Sequence, residues 1–278
     1  MESINKPIIV PWDFTQIASN AYGHAVNLAN LLQRDIILLH VIHEDSGKEG
    51  ALEKLKAKIA ELFRTYKVNT IPVIKTGSIF EVIRDYADEV KAEMVIMGTH
   101  GRKGMQRLFG SRALKVIANS KTPFLVIQEQ PSTNKFDKIV FPIDFRTENK
   151  EQVKFINYLS CHFGSKFMLF KRKAGDRRFK QRIASNLHFV ESYLNNNSVN
   201  YELYSAPGKM AFEKELVQFA KEMKSDMILT LTTRDIGFMD YLMGAREQYI
   251  IANPEKIPVL CINPKPARLS SGFNASGG

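Results

Sequence analysis

Two periodicities alternate along this chain. Short apolar runs recur at Ile8–Pro11, Asp35–Ile42, Thr70–Ile74, Met94–Met97 and Phe124–Ile127. Runs of this length suit strands buried on both faces. Between them, apolar residues fall at three- and four-residue steps, which marks helices with one buried face. Ile17, Ala21, Ala25, Leu28 and Leu32 form such a stripe from Gln16 to Gln33. Leu52, Leu55, Ile59 and Leu62–Phe63 form another over Glu49–Tyr66, and Ile79, Val82, Ile83 and Tyr86 a third from Ser78 to Val90. Strands alternating with helices predict right-handed crossovers and a parallel sheet covered on both faces.

The series then repeats, from Ile139 through Lys166–Phe170, Asn200–Tyr204 and Met227–Leu231 to Val259–Ile262. The spacing between copies is about 131 to 135 residues, too long for a solenoid and right for a duplicated domain. Ile8-Ile9-Val10-Pro11-Trp12-Asp13-Phe14 matches Ile139-Val140-Phe141-Pro142-Ile143-Asp144-Phe145, and Thr122–Ile127 matches Ile257–Ile262. The expected fold is α/β: two tandem open-sheet domains, each a five-stranded parallel doubly wound sheet with helices on both faces. Residues 1–130 and 135–265 are the expected domains. Polar Gln128–Lys135 joins them, and 266–278 is expected as a flexible tail.

Composition narrows the class. At 278 residues, with 44% hydrophobic and 24% charged residues, the chain reads as a soluble globular protein. No apolar run approaches the about 18 residues of a membrane span, and the N-terminus lacks the basic-then-apolar pattern of a secretion signal. The two cysteines, Cys161 and Cys261, lie inside apolar segments and are expected as buried free thiols. These features point to the cytoplasm and away from a membrane. The net charge is +10, most of it in the second half and much of it in Lys171–Arg182. No aromatic stacking pattern accompanies that charge, which argues against nucleic acid and for a solvated loop running into a helix.

One stretch carries candidate chemistry. Gly98–Ser111 holds four glycines in fourteen residues, between the apolar run Met94–Met97 and the helical pattern that starts at Arg112. Glycine lets backbone N–H groups approach a ligand, Ser111 is a suitable N-cap, and a helix N-terminus attracts anions. Arg102, Lys103, Arg107 and Arg112 add positive charge. The pattern reads as a phosphate cradle, against the plainer alternative of a turn with no ligand. In open α/β sheets, ligands bind beyond the carboxyl ends of the strands, where strand order switches. Asp13 follows the first strand and Gly98 ends the fourth, so the two face one crevice if those strands are neighbours. Asp13 alone, with no second carboxylate or nucleophile beside it, suits binding or capping rather than catalysis. His100 stands alone, and His40 and His43 lack the further ligands of a metal site. Trp12 is expected to pack at the crevice floor.

With the strand ending in Pro11-Trp12-Asp13, the loop Gly98-x-x-Gly101 and the downstream Gly110-Ser111, both halves resemble universal stress proteins, over roughly 4–129 and 136–264. Eight residues separate Gly101 from Gly110, one fewer than is usual in that family's nucleotide-binding branch. The resemblance implies that Pro11, Asp13 and Val41 line an adenine pocket, that Met97 and Gly98 lie under the nucleoside, and that Gly101 lets the chain pass close to the phosphates. Gly110, Ser111 and the N–H of Arg112 would hold phosphate oxygens. It implies ATP or AMP as ligand, in some members with Mg2+ or Mn2+, a stress-responsive regulatory role, an unknown regulatory protein partner, pairing of the two halves within one chain, and dimers in some members.

The second copy differs. Aligning Met94 with Met227 puts Leu231 at Gly98 and Arg234 at Gly101 and, after one inserted residue, Gly244 at Gly110 and Ala245 at Ser111. The glycine pair and the hydroxyl cap are gone, so the second half is expected to be a degenerate copy with a structural or partner-binding role. The expectation is a non-enzymatic protein binding one adenine nucleotide in its first half. The alternatives are an interaction module independent of nucleotide and, third, a very slow ATPase.

Overall fold

Ten strands form one sheet. The computed structural model describes residues 6–99, 117, 120–145, 149–231 and 241–263. In chain order the elements are β1 (Ile8–Pro11), α1 (Gln16–Leu32), β2 (Ile36–Ile42), α2 (Lys48–Tyr66), β3 (Thr70–Thr76), α3 (Ile79–Glu89), β4 (Met94–Gly98) and β5 (Phe124–Ile127). The second half supplies β6 (Lys138–Ile143), α4 (Asn149–Phe163), β7 (Lys166–Lys171), α5 (Arg177–Asn196), β8 (Tyr201–Ser205), α6 (Phe212–Glu222), β9 (Met227–Leu231), α7 (Tyr241–Ile251) and β10 (Val259–Ile262). A 3-10 turn, Asp45–Gly47, leads into α2. The element bounds fall within a few residues of those the periodicity predicts. The expected tail, 266–278, lies outside the described residues.

The strand order is β3-β2-β1-β4-β5-β10-β9-β6-β7-β8. Within each set of five, every pairing is parallel. The two sets meet at one antiparallel seam, where β10 pairs β5 with Val259 opposite Val126 and Cys261 opposite Phe124. The two open sheets of the sequence reading are thus fused into one, because each half presents its last strand as an apolar edge. One layer of core runs through both halves. Leu28 of α1, Leu125, Leu159 and Phe163 of α4, and Leu260 all belong to it.

Polar contacts reinforce the seam. Gln128 Nε2 donates to the carbonyl of Asn253 at 2.9 Å, and Asn263 Nδ2 donates to the carbonyls of Ser120, at 2.5 Å, and Ile117. The connection after β5 lies across α1. His24 Nε2 meets the Glu129 carbonyl at 3.1 Å, and Asn27 Nδ2 donates to that of Thr133 at 3.2 Å. Burial, opposed by that backbone contact, pushes the His24 pKa down to about 4.

The cysteine expectation needs one correction. Cys261 is buried, and burial pushes its thiol pKa up. Cys161 is exposed, because Val153, Ile156, Leu159 and Phe163 take the inner face of α4 and leave position 161 on the outer one. Among the described residues no helix is long and apolar enough to cross a membrane.

Candidate functional site

The crevice forms where strand order switches. β1 lies between β2 and β4, with its helix connections passing to opposite faces. Its ladder with β2 runs to Pro11, opposite Leu39, but its ladder with β4 ends at Ile9, opposite Val95. Beyond that point the two strands run on without pairing. Pro11, half-buried, and Asp13, exposed, emerge on one side of the gap, while Met97 and Gly98 emerge on the other. Val41, near the end of β2, borders the same edge and packs against a second core layer that includes Ile9, Ile37, Leu39 and Val95. The structure therefore brings Pro11, Asp13, Val41, Met97 and Gly98 to one edge of the sheet. Gly101, Gly110, Ser111 and Arg112, with His100, lie outside the described residues.

Asp13 is engaged locally. Its Oδ1 accepts from the Thr15 N–H at 3.1 Å and from the Thr15 hydroxyl at 2.5 Å. Thr15 in turn is the N-cap of α1 and accepts from the Ala18 N–H at 3.3 Å. The carboxylate thus fixes how α1 starts, as a short side chain after a strand commonly does. Phe14 between them adopts φ 63°, a left-handed conformation that a bulky side chain rarely takes. Its ring stands edge-on to Trp12 and to His40, and the Lys54 ammonium lies 4.2 Å from its centre. His40 Nδ1 meets the Trp12 carbonyl at 2.6 Å, which gives this histidine a structural partner. Trp12 is buried under the crevice, as expected, and its Nε1 has no partner among the described residues.

Gly98 has a packing role that the sequence reading did not see. A Cβ there would lie 2.5 Å from Ile17 Cγ1 and 2.7 Å from the Ile17 carbonyl oxygen. The glycine is what allows the first turn of α1 to sit against the end of β4. Next to it, the Thr99 hydroxyl is wholly buried and without a partner among the described residues.

The second half places its counterparts at the same edge. β6 pairs β7 to its end, while its ladder with β9 stops at Val140, opposite Ile228. Here a shallow, solvent-open recess is lined by Pro142, Asp144, Phe145, Arg172, Phe212 and Arg246 among others. Leu231, the counterpart of Gly98, is fully buried. Ala245, the counterpart of Ser111, lies inside α7, which begins at Tyr241. A helix that starts a turn earlier does not present its free N–H groups at that position.

Sequence reasoning missed Glu215, on the first turn of α6. Its carboxylate accepts three backbone N–H groups, from Gly208 at 3.1 Å, Lys209 at 2.6 Å and Met210 at 3.0 Å. Burial acts to raise its pKa, but these bonds outweigh that and hold it below the usual range. The loop they fix leads directly to Phe212, on the wall of the recess. A glutamate one turn after a glycine-containing loop was the available signal.

The comparisons with known proteins agree with this architecture. The model of the universal stress protein family matches residues 5–128. Universal stress protein MJ0531 of Methanocaldococcus jannaschii is 27% identical over 145 residues, covering 46% of this chain and 85% of its own. MJ0577 of the same organism is 27% identical over 164 residues, covering 48% of this chain and 100% of its own. A universal stress protein structure from Archaeoglobus fulgidus matches 94% of this chain and 97% of its own with a TM-score of 0.74 at 15% identity, a likeness of fold across both halves. Residues 5–128 thus match the universal stress protein family, and the likeness to the solved structure extends that fold, in tandem, across both halves of the chain.

Proposed function

We propose that this chain is a stress-responsive regulatory protein that holds one adenine nucleotide, ATP or AMP, in the crevice of residues 1–130, while residues 135–265 serve a structural or partner-binding role. The observation that carries the reading is the splayed gap between β1 and β4, which brings Pro11, Asp13, Val41, Met97 and Gly98 together at the mouth of the glycine loop. The family match falls on the same half. In this reading Pro11, Asp13 and Val41 border the base, and Met97 and Gly98 lie beneath the nucleoside. Asp13 keeps one carboxylate oxygen for the Thr15 cap, and its exposed side chain leaves the other for an amino donor. Gly101 lets the chain pass close to the phosphates, and Gly110, Ser111 and the Arg112 N–H hold their oxygens.

The residues present fit such a ligand. The buried Thr99 hydroxyl at the start of the loop lacks a partner among the described residues. An unsatisfied group of this kind costs about 1–3 kcal/mol, which a loop or ligand atom would offset. A divalent cation, where used, would ride on the phosphates. Among the described residues no three His, Cys, Asp or Glu side chains are grouped to hold one. Binding rather than turnover is the proposed activity.

Native mass spectrometry of the purified chain tests this. The expected result is one nucleotide per chain, with quenching or enhancement of the single tryptophan, Trp12, on addition of ATP or AMP. Gly101→Val and Ser111→Ala are expected to weaken binding. No binding up to millimolar nucleotide, or no effect of either substitution, would overturn the reading. An interaction module is the second reading. It is favoured by the outer side of α5, where Arg177, Arg178 and Arg182 are exposed beside Phe179 and form no ion pair among the described residues. Copurified nucleotide would count against it.

A further inference from the structure

We propose that Arg172 occupies the base position of the second crevice from within the chain, and so holds the protein to a single nucleotide. The inference rests on the reading that Val41 borders the base in the first half. Sheet register supplies the correspondence. Ile8 pairs Ile36 in the first half, and Ile139 pairs Phe167 in the second. Ile8 matches Ile139, so Val41, five residues beyond Ile36, corresponds to Arg172, five beyond Phe167. Both positions lie at the carboxyl edge of the sheet, on the same side of the strand.

The two side chains do different things there. Val41 is short and packs against the core layer of Ile9, Ile37 and Leu39. Arg172 reaches across the crevice. Its guanidinium carbon lies 5.1 Å from the centre of the Phe145 ring, on the loop after β6, and 5.3 Å from that of Phe212, at the start of α6. Both rings line the recess. A planar guanidinium beside two aromatic rings is a favourable cation–π arrangement. A purine entering the recess would need those same faces.

The walls are built to hold that arrangement. Phe145 is backed by Phe179, with ring centres 4.7 Å apart. Phe212 stacks on Phe170 at 5.7 Å, and Phe170 stacks on Phe219 at 4.5 Å. Glu215 fixes the loop that delivers Phe212. In the same lining, Pro142 and Asp144 keep the identities of Pro11 and Asp13. The recess therefore keeps the proline and aspartate of the first crevice and has an arginine in its lining.

Adenosine is the probe that isolates this effect, because it needs no phosphate cradle and the second half has none at Leu231 and Ala245. Equilibrium dialysis with radiolabelled adenosine on the full chain counts the sites. One adenosine per chain is expected for the unaltered protein, and two for Arg172→Val, the residue of the first half. Arg172→Ala provides the same readout if the valine variant does not fold, with circular dichroism reporting folding. The reciprocal change, Val41→Arg, is expected to weaken adenosine binding at the first site by at least about tenfold, or about 1.4 kcal/mol. A folded Arg172 variant that takes up no additional adenosine overturns the inference. So does an unaltered protein that binds two, or a folded Val41→Arg protein that binds as before. If the unaltered chain binds none and Arg172→Val binds one, the occlusion stands and the proposed first-half site falls.

Discussion

In the first half, Gly98 lets Ile17 of α1 settle against the end of β4, and the neighbouring crevice is bordered by the short side chain of Val41. In the second half, Leu231 fills the position of Gly98, Arg172 stands where Val41 would be, and Glu215 pins the loop that carries Phe212. The scaffold beneath is the same in both: five parallel strands in one order, with the same unpaired gap beyond Ile9 and Val140. Duplication preserved what the sheet needs and released what the crevice needs. A strand pairing depends on apolar residues with the right period, which many sequences satisfy. A crevice depends on individual side chains at its mouth, and one substitution changes what fits.

The largest effects are expected from exchanging the residues that seat the helices. Gly98→Val forces a Cβ into the Ile17 backbone and should destabilise the chain by about 3 kcal/mol. Leu231→Ala empties a fully buried position and should cost a similar amount, about 3 kcal/mol. Urea unfolding measures both. If Gly98→Val is tolerated as well as Leu231→Val, the two halves do not differ in the way described.

Lowering the pH probes the contact between His24 of α1 and the connection after β5. His24 has a folded pKa of about 4, below the ordinary value of 6.5, so it is held neutral in the fold. Between those values the unfolded chain binds a proton that the folded chain does not. Stability from this group is complete above about pH 6.5 and is lost as pH falls toward 4, by about 3 kcal/mol in all. Replacing it should flatten that window in chemical denaturation at a series of pH values. A His24→Leu protein with an unchanged slope between pH 6.5 and 4 would show that the histidine is not responsible.

A smaller loss, about 2 kcal/mol, is expected for Glu215→Ala, which leaves three backbone N–H groups to find other partners. Hydrogen exchange should show faster exchange at Gly208, Lys209 and Met210 while the matching loop of the first half stays unchanged. The smallest is Gln128→Ala at the seam, about 1 kcal/mol, which removes one hydrogen bond to Asn253. Thermal melting would register it. Splitting of the melt into two transitions would sharpen the comparison further, because it would show that the halves fold separately once the seam is loosened.

The sequence read alone carried most of the architecture. The helical stripe from Ile17 to Leu32 and the apolar run Phe124–Ile127 each became the element their spacing implied, because burial on one face or on two leaves a periodic trace. The match of Pro11-Trp12-Asp13 with Pro142-Ile143-Asp144 revealed the duplication, while the adjacency of first and fourth strands in each half came from the sheet itself. The candidate site was legible only as a set of residue types. Asp13 and Gly98 could be picked out, but not that Asp13 caps α1 through Thr15 or that Gly98 is pressed against Ile17. Cys161 illustrates the same limit. It sits in an apolar neighbourhood of sequence and on the exposed face of a helix.

What the sequence determined by itself is the α/β class, the tandem repeat, and the loss of glycines from the second copy. Local propensity and periodic burial are properties of consecutive residues, so they survive without the third dimension. Tertiary structure alone decided that β5 and β10 fuse the halves through an antiparallel seam, that the His24 ring is buried under the connection to the second half, and that Arg172 meets both Phe145 and Phe212. Each of these joins residues far apart in the chain. Their energies arise from shape and from removal of water at a contact, and no pattern of neighbours in sequence records either.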